Sequence, residues 1–351
     1  MRIFDASAFT KMEADVAQVF AASDHASFFN IARWFELIVK FGTKPGRQIQ
    51  LALDDSGTSA LPFVREFAAR TILSCTNAYT CEHSVIGSPE SPSTVQNFAK
   101  DLAHEVRRSR SIRLDGFAPD TPFFSALIGG FRKGGFVAKP HLGWVTRFEN
   151  TVDVGFGEYL GRRPSILRNT WHRKFAHLAK TTQSSFQVYD KSESIDDFVD
   201  VYQDVHNRSW KGPELFPEFM PNLIKMAAAE NAVRAGVLRI DGKPAAAQFW
   251  IVWHGRAVIF KLAYAEDFAS YSPGTLLTMH MLQRVLDVDR PIEISFGRGD
   301  DSYKTLWMSS RREYWGIEAA NPRTLGGAAL ALRLSGGLGR DLLKRRFGSS
   351  K

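Results

Sequence analysis

The sequence predicts an α/β chain of two similarly patterned halves, each a mixed sheet with helices on its faces. Three observations carry this reading. Residues 233–240, 244–253 and 256–264 are β-branched and aromatic runs separated by the short turns Asp241-Gly242 and His254-Gly255, the pattern of a three-strand meander. The meander is followed by a loop, a helix over 275–286 and a strand over 292–296. The first half runs the same programme, with strands over 48–53, 60–65 and 70–75, a helix over about 94–108, and a strand over 112–114 in the slot of 292–296. Residue identity between the halves is negligible, so the repeat is one of pattern.

The remaining elements follow in order. Residues 27–41 read as an amphipathic helix with Phe28, Ile31, Phe35 and Ile38 on one stripe, stopped by the stretch 42–46. A helix around 123–132 and a paired-strand pattern over 136–148 close the first half. Helices are expected over 152–160 and 164–180; the second opens on Pro164 and carries an apolar stripe of Leu167, Trp171, Phe175 and Leu178. Around that stripe stand Arg162, Arg163, Arg168, His172, Arg173, Lys174, His177 and Lys180. A strand over 186–189, a helix opened by Ser194 as N-cap, and a helix over 220–230 lead into the meander. A last strand falls near 312–318.

These boundaries divide the chain into domains at 1–150 and 151–320, with a basic tail at 321–351. The tail holds seven Lys/Arg, among them Arg340, Lys344, Arg345 and Arg346, against Asp341 alone. It reads as a docked terminal helix, or as a basic amphipathic helix lying on an anionic membrane surface.

Composition narrows the function classes. Of the 351 residues 44% are hydrophobic and 23% charged, and the formal charge is +8, which suits an anionic cofactor, a nucleic acid or an acidic surface without choosing among them. The two cysteines, Cys75 and Cys81, stand in no metal-ligand pattern, so a disulfide framework and a metal site are both unexpected, and a cytoplasmic location is expected. No run of eighteen apolar residues is present, and the first twenty residues carry Asp5, Glu13 and Asp15, unlike a signal peptide.

One stretch invites chemistry. Between the strand ending at Tyr264 and the helix beginning near Thr275 lies a turn-rich loop ending in Ser272-Pro273-Gly274. A helix entrance leaves backbone N–H groups unpartnered, and its dipole adds partial positive charge. With Gly274 admitting close approach, a phosphate suits this turn; an ordinary strand–loop–helix connection is the plain alternative.

The ordered motifs around this loop resemble those of the GNAT acyltransferase superfamily, and within it the branch of cellulose-biosynthesis-type acetyltransferases and FemABX aminoacyl transferases. The residues that carry the resemblance are Gly242, Pro244 to Ala246, Ser272-Pro273-Gly274-Thr275-Leu276-Leu277, and Phe296-Gly297-Arg298-Gly299-Asp300 with Tyr303, Lys304 and Trp307. Of the superfamily's usual glycine-rich phosphate signature only Gly274 remains. The resemblance covers the second half and implies tandem GNAT-like domains, the first degenerate. It implies acetyl-CoA or another acyl-CoA as cosubstrate, held by Tyr264, Ser272, Pro273, Gly274 and Thr275, with no metal.

The implied reaction is N-acylation of an amine, on an amino sugar or an envelope or exopolysaccharide precursor. DNA is not an expected partner; an aminoacyl-tRNA donor, or an inactive scaffold in polysaccharide synthesis, are the alternatives. Asp300 is the candidate general base or ammonium anchor, or else a turn residue. Tyr303 is the candidate proton donor to the leaving thiolate, or else a packed aromatic. Lys304 is a candidate anion contact or a solvated loop charge. Arg168, Arg173, Arg298, Asp301 and Trp307 are the candidate substrate contacts, with core filling the alternative for Trp307. His280 is expected to be a core residue, and Ala245 to Ala247 to admit close helix packing.

Overall fold

The computed structural model describes residues 1–23, 27–190 and 192–347, with side chains described up to residue 336. The basic side chains at 340 and 344–346 therefore lie outside the described residues. The chain forms two compact units: Met1–Trp144 with Glu313–Lys351, and Val145–Arg312. Residues 313–320, expected with the second half, belong to the first unit because the last strand pairs there.

In chain order, the first stretch comprises β1 (Arg2–Asp5), α1 (Ala8–Lys11), α2 (Ala14–Ala21), α3 (Ala32–Phe41), β2 (Arg47–Leu53), β3 (Ser59–Glu66), β4 (Thr71–Ser74), β5 (Ile86–Gly87), α4 (Pro92–Glu105), β6 (Ser111–Phe117), α5 (Pro122–Lys133) and β7 (Val137–Asn150). The second unit continues with α6 (Phe156–Gly161), α7 (Ser165–Thr181), β8 (Ser184–Tyr189), α8 (Ile195–Asn207), α9 (Phe219–Ala229), β9 (Val233–Ile240), β10 (Lys243–Trp253), β11 (Arg256–Tyr264), α10 (Pro273–Arg284) and β12 (Glu293–Ser295). The chain ends with β13 (Ser310–Ala320) and α11 (Leu325–Phe347).

In the first unit the strand order is β1-β2-β3-β4-β6-β13, with β5 pairing β3. All its pairs are antiparallel except β4 with β6, which run parallel through Thr71–Leu73 and Ser111–Arg113. The core fills the space between this sheet and α4 and α5, with Phe63, Leu102, Leu114, Leu127 and Phe131 almost wholly buried. The two helices approach at glycine: a Cβ on Gly130 would stand 2.5 Å from that of Ala99. Trp34, at the start of α3, packs edge-on against Phe29. The helix expected over 27–41 breaks at Ile31, whose extended backbone (ψ 154°) separates a short 3-10 turn from α3.

In the second unit the order is β7-β12-β11-β10-β9-β8, again antiparallel except for one pair, β11 with β12. The meander over β9, β10 and β11 matches the sequence reading. Ala245, Ala246 and Ala247 are fully buried, and Leu276, Leu277 and Met281 of α10 lie in the same core cluster as Ala245 and Ala246. Gly236 shows how close α10 sits: a Cβ there would come within 2.5 Å of the Met281 sulfur. His280 stacks on Phe186 at 4.5 Å, and burial lowers its pKa.

Both units therefore hold a mixed, mostly antiparallel sheet with helices, built on one parallel pair. The paired strands expected over 136–148 are instead the single strand β7. Gly143 within it serves cross-strand packing, since a Cβ there would stand 3.0 Å from the Tyr314 carbonyl oxygen. Among the described residues no helix is long and apolar enough to cross a membrane.

Candidate functional site

The site is built where β11 and β12 part. Their parallel pairing covers only Arg256–Val258 against Glu293–Ser295, while β11 runs on to Tyr264. A bulge at Phe260 interrupts the register with β10. Beyond it the Ala265 N–H donates to the Ala245 carbonyl at 2.9 Å. Backbone groups alternate along an antiparallel strand, so those of Ala263 face β10 while those of Leu262 and Tyr264 face the side that β12 has left. An unpaired strand edge of this kind is a template for an extended amide chain.

The helix entrance follows at once. A 3-10 turn, Glu266–Tyr271, leads to Ser272, which is left-handed (φ 57°) and caps α10 without a side-chain hydrogen bond. Pro273 holds the first helical position. Gln248, fully buried on β10, fixes this end to the sheet: its amide donates to the Gly274 carbonyl at 3.0 Å and to Thr278 Oγ1 at 2.6 Å, and its carbonyl accepts from Trp250 Nε1 at 3.0 Å. Tyr264 flanks Gly274, where a Cβ would meet its ring at 3.4 Å. The five residues expected to hold a cofactor thus fall at the end of β11 and the entrance of α10.

Basic groups reach the same turn from α7. Lys174 Nζ donates to the Ser270 carbonyl at 2.5 Å, and His177 stacks on Tyr271 at 5.6 Å. Arg173, one turn before His177 on the same helix face, is exposed. Arg168 instead donates to the Gly161 carbonyl at 3.2 Å. Of the expected apolar stripe on α7, Leu167 and Leu178 are buried, whereas Phe175 is exposed and its ring lies 4.9 Å from that of Trp171.

The loop after β12 is held by ion pairs, some made within it and some from outside it. Asp300 is bound by the Nε atoms of Arg147 and Arg311. The hydrogen bond from Arg147 lowers its carboxyl pKa, and the pair with Arg311 adds to this. A carboxylate held in that form is a weak proton acceptor, so the geometry favours an anchor for the loop over a general base. Lys304 is buried, donating to the carbonyls of Arg298 at 2.7 Å and Gly299 at 3.3 Å and pairing with Asp301 at 3.0 Å; it is neither a solvated charge nor a surface anion contact. Gly299 (φ 102°) takes a backbone conformation that a side chain would strain.

Trp307, a candidate substrate contact, is corrected to a core residue. It is 5% exposed, packs edge-on to Phe296 at 6.2 Å, and its carbonyl accepts from Tyr159 Oη at 2.7 Å and Arg163 Nη1 at 2.6 Å. Tyr303 is half-exposed and edge-on to Phe296 at 5.9 Å. Desolvation and the Asp301 charge push its phenol up to about 12, so it keeps its proton near neutrality. Asp301 and Arg298 are not buried in this loop.

The corresponding opening in the first unit is filled by its own chain. Beyond Leu73 and Arg113 the parallel pair ends, and the His83 N–H donates to the Gly116 carbonyl at 2.8 Å. The His83 ring is fully buried against Phe35 and Phe117.

Residues 165–305 match the family model of the acetyltransferase (GNAT) domain, the segment that holds the parted strands and the α10 entrance. That segment is a GNAT acetyltransferase domain. The GNAT match makes the chain a transferase, with the acyltransferase fold in its second unit. No curated protein matches the chain by sequence. Among solved structures it is similar to the C-terminal domain of a protein from Agrobacterium fabrum assigned as a lysylphosphatidylglycerol synthetase, at 14% identity and TM-score 0.58, over 94% of this chain and 96% of that one. It is also similar to FemX, at 10% identity and TM-score 0.59, over 91% and 97%. A tandem GNAT protein from the clavulanic acid pathway is similar at 11% identity and TM-score 0.50, over 92% and 99%. These likenesses show the fold.

The GNAT domain also has a cavity of about 440 Å³ lined by residues that include Val154, Leu286, Arg290 and Ile292, near the opposite ends of β11 and β12. None of the expected site residues lines it. Among the described residues no group of three or more His, Cys, Asp or Glu is arranged to hold a metal. Gln248, Lys174, His177 and Arg147 are residues of this region that sequence reasoning did not select. Their partners lie 26 to 153 residues away, and no local pattern announces such pairs.

Proposed function

We propose that the chain is an acyl-CoA-dependent N-acyltransferase whose donor binds in the second unit alone. The observation that carries the reading is the unpaired β11 edge at Leu262–Tyr264, followed directly by the α10 entrance. A pantetheine arm is an extended chain with two amides, suited to add to that edge. Its pyrophosphate suits the N–H groups and dipole at Ser272–Thr275, with Lys174 beside them. Acetyl-CoA or a longer acyl-CoA is the donor class, and a cytoplasmic location follows from such a donor. An amine on an amino sugar or an envelope precursor is the acceptor class.

In the reaction the neutral amine attacks the thioester carbon and the C–S bond breaks. The nitrogen gives up one proton to solvent and the departing sulfur gains one, leaving amide and thiol. Tyr303 Oη–H is the donor group nearest in role to that step. Asp301, paired with Lys304 yet with its side chain 62% exposed, is the more open carboxylate for an acceptor ammonium, because Asp300 is bound by two guanidinium groups. The exposed basic face of α7 favours a second reading, an aminoacyl-tRNA donor. Calorimetric titration with acetyl-CoA, followed by turnover with amino sugars, tests the first reading. Binding of charged tRNA without acetyl-CoA binding would favour the second, and binding without turnover a scaffold.

A further inference from the structure

The open edge of β11 is not bare. Between α8 and α9 runs the irregular segment 208–218, and Lys211 on it sends its ammonium to the Leu262 carbonyl, the acceptor that faces the side β12 has left. The segment is tied down next to this contact. Glu214 receives both Lys261 Nζ bonds at 2.9 Å and the Tyr202 hydroxyl at 3.0 Å. The Lys211 N–H is turned toward Ser209 Oγ at 3.3 Å, while Trp210 and Leu215 on either side project into solvent at 67% and 58% exposure. An amide chain adding to this edge needs the Leu262 carbonyl for one of its N–H groups.

We propose that Lys211 is the gate residue of the donor edge: its ammonium holds the Leu262 carbonyl in the free protein, and a donor amide N–H displaces it, releasing the segment around Lys211. The inference rests on the donor reading above and names a competitor inside that site. The charged groups around Lys211 are Lys261 on β11, Glu214 on its own segment and Lys304 after β12. Burial and the Lys261 charge, partly offset by Glu214, push its ammonium down to about 8. The gate therefore loosens as pH rises past that value, where the amine loses its charge-assisted bond.

S-acetylpantetheine is the probe of choice because it carries the amides without the phosphates, so the charge at 211 does not act through them. Lys211→Met should bind it about three- to tenfold more tightly than wild type, the scale of one hydrogen bond no longer to be displaced. Lys211→Arg should stay near wild type. Wild-type affinity should rise from pH 7 to pH 9, and that of Lys211→Met should stay flat. Hydrogen exchange of the free protein supplies a readout independent of ligand: amides in 209–215 should exchange faster in Lys211→Met. Unchanged exchange, or equal or weaker probe binding in Lys211→Met, overturns the gate. If wild type binds neither acetyl-CoA nor the probe, the donor site itself falls, and the gate as a donor device falls with it.

Discussion

Arg163 and Glu149 meet in a bidentate pair, 2.8 and 3.0 Å, with side chains only 4% and 8% exposed. Burial would raise the Glu149 pKa, but hydrogen bonds from Ser309 and Arg163 outweigh it and hold the carboxyl below its ordinary value. Ser309 adds both its N–H at 2.8 Å and its hydroxyl at 2.7 Å. The guanidinium also lies 4.7 Å from the Tyr159 ring and donates to the Trp307 carbonyl. The network thus clamps the far end of the loop that begins at Gly297. Removing one partner of such a pair strands the other charge, at a cost on the order of 3–5 kcal/mol. Arg163→Met should lower the denaturant midpoint accordingly, and adding Glu149→Gln should recover part of the loss. A single variant as stable as wild type would show the clamp to be dispensable.

Asp300→Asn separates anchoring from base catalysis. Arg147 and Arg311 bind this carboxylate, so the amide should loosen the 297–304 loop and reduce kcat with acetyl-CoA affinity nearly unchanged. A lost general base would lower the rate on the order of 100-fold or more and be relieved at high pH. The anchor predicts a deficit of similar size from pH 7 to pH 9. Relief at high pH would return Asp300 to the role of base.

Gly274→Asp places bulk and negative charge at the α10 entrance. Its nearest obstacle is the Tyr264 ring at 3.4 Å, a contact that a side chain accommodates, so the fold should survive. Acetyl-CoA affinity should fall at least tenfold, through repulsion of the pyrophosphate and loss of the close backbone approach. Equal affinity in a variant of unchanged melting temperature would remove the phosphate site from this turn.

Much of this architecture is written in local pattern. The turns at Gly242 and Gly255 and the alternating runs around them mark β9, β10 and β11, and the loop-helix after Tyr264 marks the entrance. Burial is less legible. Trp307 and Lys304 belong to a loop rich in glycine and charge, yet Trp307 fills the core and Lys304 satisfies its own loop's carbonyls. The charges of the Asp300 loop resemble a reactive cluster in one dimension. In three they pair with Arg147 and Arg311, the first 153 residues away. The Lys211–Leu262 contact is equally invisible, because nothing in the run Ser209-Trp210-Lys211-Gly212 distinguishes a gate from a surface loop.

His83 should weaken the first unit in acid. Its imidazole is fully buried between Phe35 and Phe117, and burial pushes its pKa down to about 4 from an ordinary 6.5. The folded state therefore keeps His83 neutral where the unfolded chain has begun to bind a proton. Linkage then lowers stability as pH falls below about 6.5, and the loss ends only near the folded value. One proton contributes at most about 1.4 kcal/mol per pH unit, so on the order of 2 kcal/mol should vanish between pH 7 and pH 5. His83→Phe keeps an aromatic ring in an aromatic setting and cannot be protonated. Its backbone N–H still reaches the Gly116 carbonyl, so the filled opening of the first unit should persist. Denaturant midpoints at pH 7 and pH 5 make the comparison. Wild type should lose stability between them by the stated amount more than His83→Phe. An equal loss in both proteins would mean that another group governs the acid limb, and that His83 is protonated without cost in the folded chain.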